Sequence, residues 1–93
     1  MGAGETRARY RVELSPRARR EFEQLSGKAW ARASEALNAL AENPRPHGVV
    51  KLSGEDAYRI RVGVFRIVYE IHDRILLVIL LTVAHRKEAY RKR

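Results

Sequence analysis

The chain contains no cysteine, so it has neither disulfides nor thiolate metal ligands. Long apolar runs are also missing. The longest, Ile75 to Val83, is about half the ~20 residues that a membrane-spanning helix needs. Met1 to Arg11 has no apolar stretch of the kind a secretory leader carries. Together these absences predict a soluble cytoplasmic protein with no membrane partner. The 3 histidines are scattered without ligand spacing, which argues against a metal site, and no cofactor motif is present. Acidic residues are the scarcer sign of charge. Asp and Glu total 11 against 19 Lys and Arg, for a net charge of +8 in 93 residues. That balance favours a polyanionic partner: RNA, DNA, an anionic membrane or an acidic protein.

What is present reads as one domain over residues 10–93 behind a flexible N-terminus, 1–9. Tyr10-Arg11-Val12-Glu13-Leu14 alternates like a strand. Ser15-Pro16 has the form of a helix N-cap followed by proline at the first helical position. Ala18, Phe22 and Leu25 keep helical spacing up to a break at Gly27. Trp30, Ala33, Leu37, Leu40 and Ala41 form the apolar stripe of a second helix, which ends at Asn43-Pro44. On that stripe Trp30 is expected in the core. A short extended run, Val49 to Leu52, is followed by three strands: Tyr58 to Val62 and Phe65 to Ile71 across a Gly63-Val64 turn, and Ile75 to Val83. Glu88 to Arg93 suggests a short C-terminal helix. The order β-α-α-β-β-β predicts an α+β fold, a helical hairpin packed on one antiparallel-dominated sheet.

The Gly63-Val64 turn fixes a register in which Val62 faces Phe65, Arg61 faces Arg66 and Arg59 faces Val68. One face then carries Tyr58, Ile60, Val62, Phe65, Ile67, Tyr69 and Ile71, a core surface. The other carries Arg59, Arg61 and Arg66. Like charges directly opposed destabilise a sheet by up to ~1 kcal/mol, so folding alone gives no reason for Arg61 and Arg66 to sit there. Either this is the solvated face of a basic protein, or the pair clamps an anion and stabilises charge developing on a phosphoryl group. The tail, His85 to Arg93, places Tyr90 among five basic residues. It is either a solubilising tail or a single-stranded RNA contact, with the ring on a base and the cations on phosphate. The last strand should end beside the Gly63-Val64 turn, so Arg86 can approach Arg61 and Arg66. In that strand the odd residues are expected to face the helices. Leu76, Val78 and Leu80 are left on the outer face, for a partner or the terminal segment to cover.

The stretch from Tyr58 to Ile71 resembles the central hairpin of RelE/ParE-superfamily toxins, and Val83 to Arg91 resembles the terminal motif of the RelE branch. Leu14-Ser15-Pro16-Arg17-Ala18 and Leu52-Ser53-Gly54 also match. The resemblance implies a bacterial toxin of a type II toxin–antitoxin system: a metal-independent mRNA interferase that cleaves in the ribosomal A site. There the 2′-hydroxyl attacks the adjacent phosphate. It implies a RelB-like antitoxin in a heterotetramer or higher complex, with the ribosome and mRNA as further partners.

By the same resemblance Arg66 binds the scissile phosphate and Arg86 stabilises the transition state. Tyr90 stacks on a base and helps orient or activate the 2′-hydroxyl. Arg59 and Arg61 stand where the best-known branch member has lysines; Arg61 joins the catalytic set, and Arg59, His85, Lys87 and Arg91 are RNA contacts. Arginine stays protonated and cannot act as a general base, so His85 and Glu88 are the nearby candidates for that work. His47 and His72 fall in loops and receive no role. A ParE-like gyrase inhibitor shares the fold without needing the Arg/Arg/Tyr set, and a catalytically degenerate member would bind its antitoxin only.

Overall fold

The alternating Arg11-Val12-Glu13-Leu14 forms strand β1 (Arg11–Leu14) in the computed structural model, which describes residues 9–52 and 56–85. Ser15 closes the strand and starts helix α1 (Pro16–Glu23): its Oγ accepts from the Ala18 N–H at 3.1 Å, and Pro16 occupies the first turn, where its missing N–H costs nothing. Helix α2 (Gly27–Glu42) begins at Gly27, whose φ of +59° suits a residue without Cβ. Strands β2 (Val50–Lys51), β3 (Ala57–Val62), β4 (Phe65–His72) and β5 (Leu77–His85) complete the described elements.

The five strands form one sheet in the order β1-β5-β4-β3-β2. All neighbours are antiparallel except β1 and β5, which run parallel. Two helices packed on this sheet give the expected α+β fold. The expected C-terminal helix lies outside the described residues. Ala18 and Leu40 from the helices are buried with Ile67, Tyr69, Ile71, Val78, Leu80 and Val83 from the sheet, so the core is a single layer between hairpin and sheet.

Two expectations are corrected. Val78 and Leu80 do not lie on the outer face; both are fully buried against the helices. The chain leaves β4 through a 3-10 turn, Asp73–Ile75, and a left-handed Leu76 (φ 51°), so β5 starts two residues later and pairs Val78 with the core residue Ile71. A bulge then intervenes. Tyr69 faces Leu80 but Val68 faces Thr82, and the extra residue, Leu81, switches the side-chain parity so that Val83 is also buried. Trp30 is the second correction. It is 49 % exposed, in the first turn of α2, with its ring 6.1 Å from that of Phe22 on α1.

Past Leu14, β1 no longer covers the edge of β5, and α1 takes over. The Ser15 N–H and Oγ donate to the carbonyls of Leu80 and Leu81. The Glu21 carboxylate accepts from the Val83 N–H at 2.8 Å and the Thr82 hydroxyl at 2.7 Å. A helix carboxylate thus satisfies a sheet-edge donor that a strand would otherwise pair.

Candidate functional site

The turn between β3 and β4 sets the geometry of the arginine face. Gly63 has φ +61° while Val64 keeps an ordinary negative φ, the type II′ arrangement whose twist matches that of the flanking strands. The register is the expected one: Val62 faces Phe65, Arg61 faces Arg66, Ile60 faces Ile67 and Arg59 faces Val68. Ile60, Val62, Phe65 and Ile67 pack toward the helices. Strand alternation therefore puts Arg59, Arg61 and Arg66 together on the opposite face, at the hairpin end of the sheet. On β5 the neighbour of Arg66 is Ala84, a single methyl group. Among the described residues, neither Arg59 nor Arg61 makes a side-chain hydrogen bond or ion pair. Arg61 is exposed, and Arg59 and Arg66 are half-buried. Such an arrangement has the chemistry to attract an anion, and arginine can orient one with its planar fork of donors.

β5 ends beside this turn, with His85 facing Phe65. The two rings meet edge-on at 5.7 Å. Phe65 belongs to the core side, so His85 lies across the sheet from Arg61 and Arg66, and the structure does not bring it to the arginine face. Arg86, Lys87, Glu88, Tyr90 and Arg91 lie outside the described residues.

A second feature, absent from the candidate residues above, is the 43–49 loop that leads from α2 to β2. The loop is held at several points. The buried Tyr69 hydroxyl donates to the Pro44 carbonyl at 2.7 Å, and the Arg45 N–H donates to Asn43 Oδ1 at 3.1 Å. The Arg45 guanidinium donates to both carboxylate oxygens of Asp73, at 3.1 and 2.9 Å, and lies 5.3 Å over the ring of Tyr58. Tyr10 also donates to Asp73, at 2.6 Å. The Arg45 bonds, then the Tyr10 bond, hold the Asp73 carboxyl down at about 2, while burial pushes the Tyr69 phenol up to about 12.

The loop ends in a tight turn. The Val49 N–H donates to the Pro46 carbonyl at 3.1 Å, and Gly48 at its third position has φ +91°, as a type II turn requires. His47 stands at the exposed corner. Together His47, Gly48 and Val50 line one side of an open depression of about 390 Å³, whose other side is Arg59, Ile60 and Arg61. The Pro46-His47-Gly48 turn signature was the sequence signal for this placement; the pairing that puts it beside Arg61 was not visible.

Residues 12–90 match the model of the ParE toxin family of type II toxin–antitoxin systems. The chain belongs to this family. It is a toxin of the RelE/ParE superfamily. The toxin is 29 % identical over 89 residues to a protein of Methanocaldococcus jannaschii named for the RelE1 toxin, with 89 % of this chain and 97 % of that protein covered. Among solved structures, it superposes on the toxin–antitoxin complex RelBE2 of Mycobacterium tuberculosis with a TM-score of 0.74 at 29 % identity, covering 85 % of this chain and 93 % of that one. For the archaeal RelE–RelB complex of Pyrococcus horikoshii the TM-score is again 0.74, at 26 % identity, covering 83 % and 94 %. Among the described residues, no helix is long and apolar enough to cross a membrane, and no group of three or more His, Cys, Asp or Glu could hold a metal.

Proposed function

We propose that this toxin is a ribosome-dependent endoribonuclease that cuts mRNA in the A site. The observation that carries the reading is the opposed pair Arg61 and Arg66, flanked by Arg59 on the same face. In the proposed reaction the 2′-oxygen attacks the adjacent phosphorus, the bond to the 5′-oxygen breaks, and the products are a 2′,3′-cyclic phosphate and a 5′-hydroxyl. One proton leaves the 2′-oxygen and one reaches the 5′-oxygen. Arginine cannot take the first proton. The guanidinium groups therefore serve by position and charge, where preorganised donors contribute most. Arg86, Tyr90, Lys87 and Arg91 enter as a second phosphate contact, a base-stacking ring and flanking cations, on the strength of the resemblance alone. A site that supplies charge but no strong base depends on an aligned substrate, which the ribosome would supply.

The partner we propose is a RelB-like antitoxin in a heterotetramer or larger assembly. The related structures from M. tuberculosis and P. horikoshii are themselves toxin–antitoxin complexes, and an acidic antitoxin would offset part of the +8 charge. A second reading, inhibition of DNA gyrase, is favoured by the match to the ParE family model. The two are separated by primer extension on translated mRNA and a gyrase supercoiling assay, each run with wild type and Arg66→Ala. Cleavage stops within codons, lost in Arg66→Ala, support the ribonuclease. Inhibition of supercoiling without cleavage overturns it, and inactivity in both assays points to a degenerate member.

A further inference from the structure

The depression beside Arg61 is contiguous with the proposed phosphate site, because Arg61 belongs to both: it lines the depression and it faces Arg66 across the hairpin. The depression forms because β2 is only two residues long. Strand pairing with β3 covers Tyr58 and Arg59 and stops at Val50, and the Pro46–Val49 turn then runs beside Ile60 and Arg61 instead of a strand.

Its lining combines three chemistries. Arg59 and Arg61 are cationic, Val50 and Ile60 are apolar, and His47 presents a flat ring with hydrogen-bonding nitrogens. A nucleotide presents the matching set: a phosphate, a base face and a polar base edge. Arg59 and Arg61 stand two residues apart on one strand face, roughly 6.6 Å, a spacing that lets them meet successive phosphates of one strand. The volume, about 390 Å³, lies near the lower end of the ~300–1,000 Å³ typical of small-ligand sites, so it takes one nucleotide and not a folded partner.

His47 is also held in place. Tyr69 fixes Pro44, Asp73 and Tyr58 fix Arg45, and the Pro46–Val49 turn fixes the corner on which the imidazole stands. A contact on a pre-ordered loop loses little conformational entropy when RNA arrives. His85, the histidine nearest the tail motif, is on the other face.

We propose that this depression holds the nucleotide next to the scissile phosphate and that His47 contacts its base, making His47 a specificity-determining residue. The inference rests on the RNA-cleavage reading above. The test is codon-resolved mapping of cleavage on translating ribosomes for wild type, His47→Ala and His47→Phe. Because His47 is exposed, both variants should keep the wild-type unfolding midpoint. Losing a base contact worth about 1–3 kcal/mol corresponds to roughly a 5- to 150-fold change. His47→Ala should therefore flatten the ratio of cleavage at favoured over disfavoured codons by about fivefold or more. His47→Phe, which keeps a stacking ring but no ring nitrogens, should retain overall cleavage better than His47→Ala while still losing discrimination. If wild type cuts mRNA and His47→Ala gives the same codon profile, the subsite is wrong and the ribonuclease reading stands. If wild type cuts no translated mRNA, both fall.

Discussion

The two ends of the sheet solve opposite problems. At the hairpin end, Arg61 and Arg66 oppose one another with Arg59 beside them, and no carboxylate of the described residues answers Arg59 or Arg61. At the far end, Arg45, Asp73, Tyr10, Tyr58 and Tyr69 form a closed network in which charge and hydroxyl groups find partners. Both ends carry arginine, on the strands at one and in the flanking 43–49 loop at the other, so composition does not separate them. The far end uses arginine to bind the molecule to itself, whereas at the hairpin end Arg59 and Arg61 make no such bond among the described residues. A fold that tolerates like charges face to face at one end, and satisfies charges at the other, concentrates its local conflicts where function is expected.

Substitution of Arg66 should show this difference most strongly. Arg66→Ala is expected to lower ribosomal cleavage by about 10²–10³-fold, the usual loss on removing one charged donor to a transition state. Its stability should change far less than its activity, because relief of the opposition to Arg61 offsets the contact that Arg66 gives up. Paired measurements of cleavage rate and urea midpoint decide the matter. A variant that keeps its activity but loses a kcal/mol or more would make Arg66 a structural residue and erase the contrast between the ends.

Tyr69→Phe should behave in the reverse way. It removes the donor to the Pro44 carbonyl from a buried site, which costs about 1–3 kcal/mol. The phenol has a pH signature as well. Burial raises it to about 12 in the folded chain, whereas an unfolded tyrosine titrates near ~10. Its contribution is complete below the unfolded value and is lost as pH rises from about 10 through about 12. Alkaline unfolding, followed by circular dichroism alongside phenolate absorbance, should show this limb in wild type and a weaker one in Tyr69→Phe. An identical alkaline limb in both proteins would mean that Tyr69 does not fix the loop as described.

Most of the hairpin end was legible in the sequence. One glycine at the turn set the register, and alternation then assigned every side chain of Tyr58 to Ile71 to its face. Such inference is local and needs only the period of a strand. It failed at β5, because a single extra residue at Leu81 reverses parity and leaves no mark in a segment whose two faces are both apolar up to that point. Trp30 failed differently. Helical spacing put it on the apolar stripe, but that stripe outruns the surface available to cover it. The far-end network was invisible for a third reason: Tyr10, Arg45 and Asp73 are brought together by the parallel β1–β5 pairing and the long return from α2, contacts that no local pattern encodes. The His47 depression has the same origin.

The smallest effect belongs to the exposed carboxylate that joins this network. Arg45, then Tyr10, hold Asp73 down at about 2 in the folded chain, while an unfolded aspartate titrates near ~3.9. The folded state therefore favours the ionised form. The resulting stabilisation is present above the unfolded value and is lost as pH falls through about 2, below which both states are protonated. Asp73→Asn keeps the side-chain shape and removes the charge. Because Arg45 and Asp73 are both solvent-accessible, water and salt screen the pair, and the loss of stability should be modest. Comparison of the melting temperatures of wild type and Asp73→Asn should show a gap at about pH 6 that narrows toward about pH 2.5 and also narrows with added salt. A gap independent of both would assign the role of Asp73 to hydrogen-bond geometry alone. The far end would then be held by shape, and its contrast with the cationic end would no longer be one of charge.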